Sequence, residues 1–513
     1  MKSVWRSVIG CGAAFVLALP IAAQTPSSVA RQVAAQRDQA QAAPADPERV
    51  DAPADKSWWE AGDGRRMAAV VTYANPYGRL EVLNTGGGFE TRGHPFFTPL
   101  GTNGRACVTC HQPADGMSVS AASLRQRWRA TKGRDPVFAA VDGANCPSLD
   151  AAKRSSHSLL LDHGLFRIFL PWPIKGAEFS LEVVRDPSGC NTDPVYGLAS
   201  PNPMISVFRR PRPVANLKYV TTPDPIGFNV KTGMPLARDP QTGAPVSMQL
   251  MADARQPTLK AQAVEAAITH LQAPAAPTRD QLEQILAFES QVYAAQSVSA
   301  GSPPGLGAQA LAHARPGLLG NDLKTPVFQP FDLWRAKAGE KLKGEAAFRA
   351  SVARGADVFL TRPFWIRDTS HLNTVGLGNP IKRTCSTCHN AQMTGMDVAP
   401  GWMDIGSHNQ PTADPLKHLP LFKVTCHPDA PPHPFLGRTI YTHDPGRALI
   451  SGLCRDVGSI TMQQFRGLAA RAPYFANGSA RDLGELVDYY DRRYDINFTA
   501  QEKRDLVNFM SVL

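Results

Sequence analysis

The chain has 513 residues, with 54 Lys and Arg against 44 Asp and Glu and a formal charge of +10. That length allows two or three domains. The basic excess is not organised into arginine-rich runs interleaved with aromatics, which argues against a nucleic-acid partner.

Lys2 and Arg6 precede an apolar run from Val8 to Leu19, and Ile21-Ala-Ala23 offers a small-residue cleavage site before Gln24. Residues 1–23 therefore read as a cleaved export signal. No later stretch is apolar for long enough to anchor the chain in a bilayer. Residues 24–56 are rich in Ala, Gln and Pro and nearly free of large apolar side chains, so a flexible leader is expected there. Trp58-Trp59 marks the start of packed structure and of a first domain over 57–320.

Within that domain, residues 130–250 show little periodicity and read as loops, with short strands at Leu165–Leu170 and Phe179–Val184. Thr258 to Leu271 places Leu259, Val264, Ala267, Ile268 and Leu271 on one helical face. Thr278-Arg-Asp starts a second helix that is predicted to run through Gln281 to Gln296, with Leu282, Ile285, Leu286, Phe288 and Val292 inward. Residues 300–320, dense in Gly, Pro and Ala, mark the boundary with a second domain over 321–513. Helices are predicted there over Gly344–Phe359, Leu483–Tyr490 and Ala500–Leu513. Nothing in the order of elements points to βα repeats and a parallel sheet.

Of 9 cysteines, Cys11 leaves with the signal and four sit in two motifs described next. Cys146, Cys190, Cys426 and Cys454 remain, an even number in an oxidising compartment. The local pairs Cys146–Cys190 and Cys426–Cys454 are the simplest of the three connectivities.

Cys107-Val-Thr-Cys110-His111 and Cys385-Ser-Thr-Cys388-His389 have the spacing of c-type haem attachment. Two cysteines three positions apart reach both vinyl groups of one porphyrin, and the next histidine supplies the proximal nitrogen. A zinc site would gather both cysteine pairs into one tetrahedral cluster without asking for a histidine after each. A thiol-redox pair would ask for a βαβ setting. Two covalently bound haem c groups are the expectation, held by Cys107, Cys110 and His111 and by Cys385, Cys388 and His389.

Around these motifs the chain resembles the bacterial di-haem cytochrome c peroxidase superfamily, which includes the enzyme that matures tryptophan tryptophylquinone and, more distantly, the di-haem rubber oxygenases. The resemblance is carried by His94-Pro-Phe-Phe, by Gly101-Thr-Asn-Gly-Arg-Ala-Cys107, and by Arg471-Ala-Pro-Tyr-Phe-Ala-Asn-Gly-Ser-Ala480 with the helix from Leu483 to Tyr490. Ile285-Leu-Ala-Phe-Glu and Ala294-Ala-Gln resemble a helix of the oxygenase-like branch. It implies a mainly α fold of two cytochrome c-like domains with long loops and a few short strands. It also implies two unlike haems and a calcium ion between them, for which no ligands are assigned here.

The same resemblance puts Tyr490 at the sixth position of the C-terminal iron, with Met393, Met396 and Met462 as rivals. At the N-terminal haem, Asp253-Ala-Arg255, Thr258 and Gln262 resemble the segment that lines the reacting side. Two departures stand out: Ala252 replaces the tryptophan expected between the haems, and Gln272 replaces the acid–base glutamate. An amide cannot take the peroxide proton, and His270 is the nearby candidate for a base or for a sixth ligand. The expected function is a periplasmic di-haem oxidoreductase that meets hydrogen peroxide at the N-terminal haem and relays electrons through the C-terminal one to or from a small redox protein. A di-haem oxygenase or oxidase with an organic or protein substrate, and a non-catalytic electron-transfer cytochrome, are the alternatives.

Overall fold

The computed structural model describes residues 48–221, 250–297, 329–370, 378–389 and 402–513. The export signal, the boundary at 300–320, Met393 and Met396 lie outside these residues. Three residues of the stretch expected to be a leader, Arg49–Asp51, form a strand that pairs in parallel with Val70–Thr72.

The expected mainly α fold is not what forms. About a third of the chain is helical, 31%, and 19% is strand, spread over several small sheets. One four-stranded sheet runs Arg49–Asp51, Val70–Asn75, Gly78–Asn84 and Val292–Ser297. Its last strand is the end of the predicted Gln281–Gln296 helix. The helix stops at Gln291, and Val292 to Ser297 instead pair with Asn84 to Arg79. Val292, Tyr293, Ala294 and Ala295 are all buried, which a one-sided helix would not achieve.

The strands anticipated in the loop-rich region are present, at Phe166–Pro171 and Phe179–Arg185. Phe179–Arg185 pairs with Leu421–Cys426, which pairs in turn with Thr439–Thr442. Both disulfides form as read: Cys146–Cys190, and Cys426–Cys454 in the small core beside this sheet.

The helices that position the chemistry have local reasons to start where they do. Thr258, Thr278, Asp482 and Thr499 each accept a backbone N–H as N-caps of Leu259–Thr269, Arg279–Gln291, Leu483–Tyr494 and Ala500–Ser511. Thr278 with Gln281 and Thr499 with Glu502 complete capping boxes. Gly344–Thr361 packs flush on Ala500–Ser511: a Cβ at Gly355 would meet the Asp505 carbonyl at 1.9 Å. These C-terminal helices, with Phe359, Val487, Leu506 and Phe509, build one core. Trp59, Phe96, Phe97, Ile285 and Phe288 belong to a second core under the first Cys–x–x–Cys–His motif. None of the helices among the described residues is long and apolar enough to cross a membrane.

Candidate functional site

The two motifs adopt the same turn. Cys107–Thr109 and Cys385–Thr387 are single 3₁₀ turns. His111 N–H donates to Cys107 O at 3.1 Å, and His389 N–H to Cys385 O at 3.0 Å. One tight turn thus gathers two thiols and an imidazole at the wall of a cavity, and none of the four cysteines is in a disulfide.

The N-terminal cavity is lined by Cys107, Cys110, His111, Gln262 and His270, together with Ala252 and Arg255. His111 Nδ1 lies 3.1 Å from Met117 O, so Nδ1–H donates to the carbonyl and Nε2 is left without a proton. His270 is held harder. A Cβ at Gly101 would meet the Leu271 carbonyl oxygen at 1.7 Å, so the approach to Cys107 lies directly on the end of the Leu259–Thr269 helix. From that approach Asn103 donates to His270 O at 2.9 Å, and Arg105 reaches the same oxygen at 3.3 Å. The His270 ring gives Nδ1 to Asp142 Oδ2 at 2.5 Å, and Asp142 is paired with Arg105, both buried. Against the opposing effect of burial, Arg105 and the His270 imidazole thus hold the Asp142 carboxyl below the ordinary aspartate range.

Gln272 does not join this group. It is exposed, in a left-handed turn with φ +53°, and it does not line the cavity. Its backbone carbonyl accepts Thr102 N–H, so that position serves the loop rather than the cavity.

The C-terminal cavity encloses about 1490 Å³ free of protein atoms, part of it open to solvent. His389 and Tyr490 both line it, Tyr490 Oη lying at the long end of hydrogen-bond distance, 3.4 Å, from His389 Nε2. Tyr490 comes from Leu483–Tyr494, on the face that also carries Leu486, Val487 and Tyr494 to the cavity. Phe359 and Phe465 lie tilted beside His389, with centroids at 6.3 and 4.6 Å. Met462 lines the same cavity and remains a rival to Tyr490. So does His408, which sequence reasoning missed: it is buried, Nδ1 meets Ser407 Oγ at 2.9 Å, and Nε2 has no hydrogen-bond partner among the described residues.

The cavities share a wall. Arg210, Pro211 and Gln464 line both. Ala252 lines only the N-terminal cavity, and no aromatic side chain is common to the two linings. At and beside this wall three arginines lack an ion pair among the described residues: Arg210 and Arg471, which are buried, and Arg212, which is half-buried. Arg210 Nη1 and Arg471 Nε have no hydrogen-bond partner among the described residues. Burial and mutual repulsion push Arg210 down to about 10 and Arg212 to about 9. Buried cations need anions, and these are guanidinium forks suited to carboxylates. Haem brings carboxylates, so the residues present fit two such groups: cysteine thiols and a histidine on each cavity wall, and arginines without ion pairs beside the wall they share. Among the described residues no group of three or more His, Cys, Asp or Glu could hold a metal ion, and no ligands for calcium emerge.

Neither a family model nor a curated protein matches the chain. Among solved structures it is similar to hydrazine synthase of Kuenenia stuttgartiensis, at 13% identity over 77% of this chain and 93% of that one, with a TM-score of 0.28. It is also similar to a MauG-like protein associated with microbial copper homeostasis, at 15% identity over 59% and 90%, with a TM-score of 0.27. At those scores neither likeness carries an argument about this chain.

Proposed function

We propose that the chain is a periplasmic di-haem c oxidoreductase that meets a small oxidant, hydrogen peroxide, in the N-terminal cavity and passes electrons through the C-terminal one. The observation that carries the reading is the shared wall: two cavities, each with one Cys–x–x–Cys–His turn, meet at Arg210, Pro211 and Gln464. Bound c-type haem supplies an iron that changes oxidation state and a sixth position for a small ligand or a side chain.

The protein's own part is orientation, charge and proton handling. Met117 O fixes the His111 tautomer, and Asp142 fixes that of His270. His270 then presents Nε2 as a base for a proton carried by the oxidant. Arg210, Arg212 and Arg471 offset the carboxylates of both groups. His389 and Tyr490 bracket the C-terminal position, and a small redox protein exchanges electrons there.

A second reading, an oxidase or oxygenase with an organic substrate, is favoured by Leu250, Leu259, Ala263 and Ile285 on the wall of the N-terminal cavity. Pyridine haemochrome on the purified chain should give two haems, both surviving denaturation. Electron paramagnetic resonance of the resting ferric protein then separates the readings. A high-spin signal is expected for an open N-terminal iron, and purely low-spin signals would turn the protein into an electron carrier with His270 as sixth ligand.

A further inference from the structure

The N-terminal cavity holds a carboxyl group that the sequence reading passed over. Glu289 ends the inward face of Arg279–Gln291, after Leu282, Ile285 and Phe288. It is 4% exposed, and it lines the cavity with Cys107, His111, Leu259 and Ile285. Glu289 forms no ion pair among the described residues, and its Oε2 has no hydrogen-bond partner. Buried side-chain oxygens are almost always satisfied, and an orphan one facing a cavity points to something that enters the cavity. Its helix neighbours on this face are apolar, so packing alone would be served by another leucine.

We propose that Glu289 hydrogen-bonds, through Oε2, the small oxygen-containing ligand that enters the N-terminal cavity, filling the position that Gln272 leaves empty. The proposal rests on the reading that His111 carries a haem there. Burial pushes the Glu289 carboxyl up to about 8, so it keeps its proton at neutral pH and donates. His270 reaches the same space from the end of Leu259–Thr269 with Nδ1 engaged by Asp142. The cavity therefore pairs one donor carboxyl with one imidazole nitrogen free to accept, two groups whose surroundings assign them opposite parts.

Fluoride is a suitable probe, since it binds ferric haem and is held by a neighbouring hydrogen-bond donor. With two haems per chain verified by pyridine haemochrome, fluoride affinity is read from the visible spectrum of the ferric protein. Glu289→Leu is expected to weaken fluoride at least about tenfold, and Glu289→Gln, which keeps an amide donor, to recover part of the loss. Infrared difference spectra of the native protein should show a protonated carboxyl C=O stretch that shifts on adding fluoride and is absent from E289Q. Two haems with unchanged fluoride affinity in E289L, or with no fluoride binding by the native protein, overturn the role of Glu289 and leave the haem reading standing. A chain that attaches no haem at His111 overturns that reading, and this proposal with it.

Discussion

His270 Nδ1 lies 2.5 Å from Asp142 Oδ2, and the other oxygen of that buried carboxylate is taken by Arg105. The chain closes on itself here, because Arg105 belongs to the segment that leads into Cys107 and also binds His270 O. Removing the charge of Asp142 leaves Arg105 as a buried cation without its counterion, and it frees the His270 ring to change tautomer. Asp142→Asn should cost about 3–5 kcal/mol in urea unfolding at neutral pH. Asp142 is held below its unfolded value, so this advantage is present above the ordinary aspartate range and fades as the pH falls through the lower folded value. A gap between native protein and D142N that persists in strong acid would show that the carboxylate charge is not its source. The ferric spectrum of the N-terminal haem should change in D142N even where the protein is fully folded.

Across the second cavity, the 3.4 Å approach of Tyr490 Oη to His389 Nε2 makes a different demand. With Tyr490 as sixth ligand, Tyr490→Phe should turn one haem high-spin and leave the spectrum of the other unchanged. Met462→Leu should leave both unchanged. A low-spin spectrum that survives in Y490F would pass the role to Met462 or His408, which share the cavity wall.

The parts of the site written as contiguous motifs were legible in the sequence. Cys–x–x–Cys–His fixes its own turn, since the histidine N–H closes on the first cysteine carbonyl within five residues. The two disulfides were legible because each pair was local. Residue roles taken from aligned spacing fared less well. Gln272 falls in a left-handed turn just past the helix end, a break that no pattern of apolar residues announces. Glu289 was hidden for the opposite reason: on the face of Leu282, Ile285 and Phe288 it reads as a helix residue, and only the cavity beside Cys107 gives it chemistry. Arg471 lies far from Arg210 and Arg212 in sequence, and only the folded chain brings it beside them. The fold was misread where context overrode local pattern. Val292 to Ser297 continues a helical periodicity, yet it is captured by the free edge of Gly78–Asn84.

Glu289 also makes stability depend on pH in a defined sense. Its folded value of about 8 lies above the ordinary glutamate value of 4.5. The folded chain thus binds more protons than the unfolded one between those limits, and its contribution is full below the lower limit and is lost as the pH rises through about 8. The loss amounts to something on the order of 5 kcal/mol. Chemical unfolding of native protein and Glu289→Gln across this range should show a gap in stability that moves against the native protein with rising pH. Parallel curves would mean that Glu289 has found a counterion in solution.

The arginine wall yields the sharpest separation of the two sites. A buried cation beside a haem stabilises the reduced iron, which carries one positive charge fewer, so removing it lowers the reduction potential. Arg210 lines both cavities, whereas Arg471 lines only the C-terminal one. Arg210→Leu should therefore lower both haem potentials, and Arg471→Leu should act mainly on the haem attached at Cys385 and Cys388. Arg210→Lys keeps the charge and should restore the potentials. Spectroelectrochemical titration of the three variants reads both potentials at once. Potentials that do not move in R210L would mean that the guanidinium faces no redox group, and the shared wall would lose its part in joining the two cavities.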